Sequence, residues 1–115
     1  MTSVKIAGAP ISWGVCEVPG WGRVLPPETV LSQMSELGLT ATELGPPAYL
    51  PEDPEELKGT LFAHDLPLVG GFLAVVLHDA ARTKETLSEA EHSAKVLAAG
   101  GAEVLVRAAA TGLDG

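Results

Sequence analysis

A chain of 115 residues holds at most one domain, and with 46% hydrophobic residues it has enough apolar side chains for a core of its own. Its 15 acidic and 7 basic residues give a formal charge of −8, which argues against a nucleic-acid partner, because phosphate contacts need a surplus of lysine and arginine. No apolar run is long enough to span a membrane, no basic segment followed by an apolar stretch opens the chain, and a single cysteine cannot form an internal disulfide, so a cytoplasmic protein with no membrane partner is expected.

Residues 4–9 read as a short first strand. The stretch that follows, 9–27, holds both tryptophans and the only cysteine, and Pro10, Gly14, Pro19, Gly20, Gly22, Pro26 and Pro27 break any regular element in it. Loops this long are usually functional or disordered. Ile11, Trp13, Val15, Val18 and Trp21 are too apolar for a solvated linker, so an ordered, pocket-lining loop is expected. Residues 27–37 then read as a helix, with proline and Glu28 in the first turn, a stripe of Val30, Leu31, Met34 and Leu37, and Gly38 as its left-handed cap.

A second strand is expected over 39–44, stopped by Gly45-Pro46-Pro47. Asp53-Pro54-Glu55-Glu56 is a helix start, with aspartate as N-cap, proline first and glutamate third, and Leu57, Leu61 and Phe62 supply the buried side. The near-continuous apolar run 68–77 suits a parallel strand covered on both faces. A helix follows over 83–99 with Leu87, Ala90, Ala94, Leu97 and Ala98 on one side, ended by Gly100-Gly101; Ser88 and Glu91 form a second possible capping box, so its start could lie later. Residues 102–107 make the fourth strand.

Strands thus start near 4, 39, 68 and 103, a spacing typical of βα units, and parallel strands with right-handed crossovers follow. An open doubly wound sheet and part of a (βα)8 barrel both satisfy this order. Neither dinucleotide nor P-loop glycine patterns occur, and in both architectures ligand loops leave the C-terminal ends of the strands.

Ala9-Pro10-Ile11-Ser12-Trp13-Gly14 and Pro19-Gly20-Trp21-Gly22, with Thr42-Glu43-Leu44-Gly45-Pro46-Pro47, resemble the N-terminal part of sugar phosphate isomerases/epimerases of the xylose-isomerase-like TIM-barrel fold, in the branch of the inosose dehydratases and other inositol-catabolism enzymes. Gly71-Phe72, Leu77-His78-Asp79 and Ala108-Ala109-Ala110-Thr111-Gly112 extend the likeness along the chain. The resemblance implies a single half-barrel domain over 1–115, β1-α1-β2-α2-β3-α3-β4, truncated relative to a complete barrel of eight such units. It also implies a divalent metal (Mn, Co, Mg or Zn) held by Glu, Asp, His and Glu side chains on later strands. No residue here inherits those positions, so tight metal binding by this chain is not expected.

Each site candidate has a structural alternative. Glu43 ends the second strand, where a carboxylate could bond a substrate hydroxyl or accept backbone amides of its own loop. His78, beside Asp79 after the third strand, could shuttle a proton or serve as a structural residue, and it is the one catalytic candidate. Trp13 could wall a polyol site or pack in the core, as could Trp21, with Trp13 the stronger candidate. Glu17 is a second carboxylate, Tyr49 could bond a ligand or hold its loop, and Arg107, closing strand four, could bind an anion or pair with Glu103 or Asp114. Cys16 reads as a buried thiol, and His64 and His92 as surface residues.

Three functions follow. The first is the N-terminal part of a metal-dependent isomerase, epimerase or dehydratase acting on a polyol or keto-sugar, inactive alone. The second is a non-catalytic half-barrel whose open edges pair with its own copy or with a complementing chain. The third, an endonuclease relative sharing the barrel, is disfavoured by the acidic charge.

Overall fold

The computed structural model describes residues 4–15, 20 and 23–110. Four parallel strands form one sheet in the order β1 (Ala7–Gly8), β2 (Ala41–Glu43), β3 (Leu68–Val75), β4 (Val104–Ala109). Three helices connect them, α1 (Pro27–Glu36), α2 (Pro54–His64) and α3 (Thr83–Ala99). Sequential order with crossovers of one hand puts all three helices on one side of the sheet. The core shows this: Val30, Leu31 and Met34 of α1, Leu57 and Leu61 of α2, and Val96 and Leu97 of α3 join Leu68 in one buried cluster. The architecture is therefore half of a (βα)8 barrel, and the doubly wound alternative falls away.

Local chemistry sets the helix ends. Asp53 caps α2 by accepting a hydrogen bond from the Glu56 amide (3.1 Å), as the sequence predicts. Gly38 takes the left-handed conformation after α1 (φ 83°). At the end of α2 that conformation falls to Asp65 (φ 53°), a residue with no glycine signal.

The strands differ from expectation at their ends. β1 pairs only over Ala7–Gly8, although the Thr40 amide still donates to the Ile6 carbonyl (2.9 Å). β4 starts two residues late, because the Ala102 amide donates back to the Leu97 carbonyl (2.9 Å) to finish α3 and so is unavailable to the sheet. The strand then runs on past Arg107 to Ala109, so Arg107 does not close it.

Of the helix side chains expected on the buried side, Ala94 and Ala98 of α3 are exposed, and so are three larger ones. Leu37 lies beyond the last turn of α1, Phe62 points outward from α2, and Leu87 is displaced because α3 turns Thr86 inward instead. The Thr86 hydroxyl donates to the Val76 carbonyl (2.9 Å), which fixes the rotation of the helix. α3 begins at Thr83, so the later start at Ser88 is not used. No helix among the described residues is long and apolar enough to cross a membrane.

Candidate functional site at the C-terminal edge of the sheet

The loops that leave the C-terminal ends of β1, β2 and β3 carry Trp13, Glu43 and His78 to one edge of the sheet. The loop after β1 opens with a 3-10 turn, Pro10–Trp13, too short to leave a periodic signature in the sequence. The loop after β2 packs directly against it. Gly45 has φ 80°, and a Cβ there would stand 3.0 Å from Cγ of Pro10, so the two loops can approach only over a glycine.

Between them lies a groove of about 280 Å³. Pro10, Ile11, Val15, Phe72 and Val106 make its apolar walls, and among the described residues Glu43 is the only charged one lining it. Glu43 follows the buried Thr42 on β2, so alternation along the strand turns it to the opposite face, into the groove. The register of β2 against β3 shifts between Thr42 and Glu43, and the buried Thr42 hydroxyl donates to the Glu43 carbonyl (2.8 Å) at that point. The extra residue lies in β3, where Leu68 and Gly70 oppose the consecutive Thr42 and Glu43; irregularities of this kind recur beside active sites.

Tyr49 ties the mouth together. Its hydroxyl donates to the Leu25 carbonyl (2.5 Å), joining the loop after β2 to the segment that enters α1. Burial of the phenol raises its pKa above the usual value of 10.0. Tyr49 is thus a brace between two loops, which was one of its two expected roles.

The other candidates fall elsewhere. Trp13 is half-buried, packs against the core cluster and donates its indole N–H to Oε1 of Gln33 on α1 (2.8 Å). It takes the packing alternative and does not line the groove. His78 is exposed on the loop beyond β3, at the same edge but outside the groove walls, while Asp79 caps the following 3-10 turn, Ala80–Arg82, by accepting from the Ala81 amide (2.9 Å). Arg107 is turned away from the groove. Along β4 Leu105 packs on the helix-side core while Val106 faces the groove, and Arg107, two residues past Leu105, follows Leu105 to the helix side. Cys16, Glu17 and Trp21 lie outside the described residues.

On the helix side, a second groove of about 410 Å³ runs between the loop after β2 and α3, floored by Leu44, Leu50, Leu73 and Leu97. His92 of α3 meets Glu52 there at 2.5 Å, across forty residues of sequence. His92 is exposed as expected, whereas His64 is half-buried, its Nδ1 against the Thr60 carbonyl (2.9 Å).

The described residues gather no group of three or more His, Cys, Asp or Glu side chains that could hold a metal ion. Among the described residues Glu43 is the one carboxylate of its groove, so these residues do not fit the divalent metal that the resemblance implies.

Among the described residues, a half-barrel of parallel βα units with one carboxylate in a small apolar mouth defines the class of protein. Comparison with known proteins narrows it. The chain is 37% identical over 83 residues to an inosose dehydratase of Geobacillus kaustophilus, a match covering 72% of this chain and 26% of that protein. It is 32% identical over 102 residues to an inosose dehydratase of Erwinia tasmaniensis, covering 89% of this chain and 33% of the relative. A rhizopine catabolism protein, MocC, of Rhizobium meliloti is 38% identical over 72 residues, 63% of this chain and 22% of the relative. No family model matches the chain, and no solved structure matches it significantly. Over the matched stretches the chain is a homologue of inosose dehydratases and MocC, and it spans between about a fifth and a third of their length.

Proposed function

We propose that this chain is the N-terminal, substrate-orienting part of a cytoplasmic, metal-dependent isomerase, epimerase or dehydratase acting on an inosose-like polyol or keto-sugar. The observation that carries the proposal is Glu43, a carboxylate at the end of β2 in a groove whose other described lining residues carry no charge, in a chain homologous to inosose dehydratases. A cyclic polyol offers hydroxyls around its rim and C–H groups on its faces. Ile11, Phe72 and Val106 would take a C–H face, and Glu43 would accept hydrogen bonds from one or two hydroxyls, which fixes the rotation of the ring in the mouth.

The step common to isomerisation, epimerisation and dehydration of such a compound is removal of a proton from the carbon beside the carbonyl. His78, at the same edge, is the candidate proton carrier once further βα units complete the mouth. Metal ligands come from those units and not from this chain, so the chain alone is inactive. Arg107 has no part in this reading, since it faces the helix side.

The test uses dehydration of an inosose as its readout. We expect no metal-dependent turnover by residues 1–115 alone. We expect turnover by a chimera in which they replace the matched segment of the Geobacillus relative, and Glu43→Gln in that chimera should lower kcat/KM by about tenfold or more, as loss of a charge-assisted hydrogen bond does. Turnover by the isolated chain, or a chimera indifferent to Glu43→Gln, contradicts the proposal.

A further inference from the structure

Among the described residues two that are not glycine take a positive φ, Asp65 and Ala48. Asp65 ends α2, where the left-handed conformation is routine and aspartate tolerates it. Ala48 (φ 61°) has no such ease. It stands third in a four-residue turn, Pro46–Tyr49, closed by the Tyr49 amide donating to the Pro46 carbonyl (3.2 Å), and Pro47 stands second. Proline second with a positive φ third is the type II arrangement, whose third place normally goes to glycine. An alanine there keeps its shape only where its surroundings hold it, and strain of this kind gathers at ligand sites.

The residues that hold it follow directly in the chain. Leu50 is buried in the core cluster. Tyr49 packs against the same cluster and donates its hydroxyl to the Leu25 carbonyl. The strained turn is also a wall of the site. Pro46 and Pro47 line the Glu43 groove on one side and the larger helix-side groove on the other. Every residue of this arrangement lies between β1 and α2, so it is complete within the first two βα units.

We propose that Tyr49 is a positioning residue: its hydroxyl holds the turn in its left-handed shape and so keeps the Pro46–Pro47 wall of the Glu43 groove formed before a substrate arrives. The inference rests on the reading of that groove as the polyol site. With the brace open the groove is competent for only part of the time, so apparent affinity falls by that fraction while the bound complex reacts as before. Strain at Ala48 and the brace at Tyr49 oppose each other, so removing the strain should remove the need for the brace.

The chimera with the Geobacillus relative tests the proposal. Tyr49→Phe keeps the ring and deletes the donor, and it should raise KM about fivefold, the effect of one neutral hydrogen bond, with kcat unchanged. Adding Ala48→Gly, a residue that enters the left-handed region freely, should bring KM back towards the parent value. A tyrosine that served stability alone would lower kcat with the amount of folded enzyme and would gain nothing from Ala48→Gly. Hydrogen exchange on the full 115-residue chain gives a readout free of catalysis. The amide of residue 49 should exchange faster in Tyr49→Phe and slow again in the double variant, while the amides of β3 stay as they are. A chimera that responds to Glu43→Gln but keeps its KM in Tyr49→Phe, or that Ala48→Gly makes worse, overturns the inference and leaves the function standing. A chimera without turnover overturns the polyol reading instead, and exchange at residue 49 then decides alone: an amide equally fast in the parent and in Tyr49→Phe means that the hydroxyl does not hold the turn.

Discussion

The two faces of one sheet differ more than any two elements of the chain. On β3 the neighbours Gly71 and Phe72 point opposite ways. A Cβ on Gly71 would meet Leu97 of α3 at 3.0 Å, whereas the Phe72 ring is half in water. The helix side holds Leu31, Met34, Leu57 and Leu66, all without measurable exposure. The mouth side holds the groove and Glu43. Stability in this chain is built away from its candidate chemistry, so substitutions that unfold the chain and substitutions that alter the site should fall on opposite faces.

The largest effect belongs to the helix side. Leu57 is completely buried, and a Cβ added at Gly100 would already touch its side chain at 3.0 Å, so the neighbourhood has little slack. Leu57→Ala should cost about 3 kcal/mol, the sum of lost burial and the cavity left behind. A urea midpoint measured against the parent chain reads it. A loss below about 1 kcal/mol would mean that the packed face does not carry the fold, and the contrast between the faces would break.

A smaller effect sits at the boundary between the faces, on the chain's single tyrosine. Burial raises the pKa of Tyr49 above 10.0, so the folded chain favours the neutral phenol. Its contribution to stability is then fully present at pH values below 10.0 and is lost as pH rises through the higher folded value. Tyrosinate absorbance should show a midpoint above 10.0 in the native chain that falls to 10.0 in denaturant, and Tyr49→Phe should flatten the alkaline decline in stability. A native midpoint at 10.0 would mean that water reaches the phenol and that the brace to Leu25 is open.

What could be read from the sequence was what short-range chemistry decides. Asp53-Pro54-Glu55-Glu56 starts α2 through contacts within four residues, and both ends of α3 fall where its glycines and polar residues imply. The spacing of the apolar runs was enough for four parallel strands and for Glu43 at a strand end. The rest depends on partners far along the chain. The groove that Glu43 enters is walled by Phe72 of β3 and Val106 of β4, far along the chain, which no local pattern encodes. Trp13 was expected at the pocket wall, but its indole is committed to Gln33, a pairing that exists only once α1 has docked. Arg107 was expected at the end of β4, but the strand runs two residues further, and alternation with Leu105 puts Arg107 on the helix side. A long-range brace such as Tyr49 to Leu25 leaves no mark in spacing, because its members meet only across the fold.

The smallest expected effect separates burial from residue type most cleanly. Leu61 and Phe62 are neighbours on α2, both apolar, and the sequence assigns both to its buried side. The helix turns one in and the other out: Leu61 is 4% exposed and Phe62 is 89% exposed. Successive residues on a helix are about 100° apart, so a narrow contact stripe can take one and leave its neighbour in water. Leu61 lies on the same stripe as Leu57, four residues earlier, while Phe62 projects from the solvent side. Phe62→Ser should therefore change stability by less than about 0.5 kcal/mol, as surface substitutions do, although it removes the larger side chain. Leu61→Ala should cost about 2 kcal/mol or more. A Phe62→Ser loss approaching that of Leu61→Ala in the same denaturation series would show that the ring is covered in solution and that the buried stripe of α2 is wider than Leu57 and Leu61.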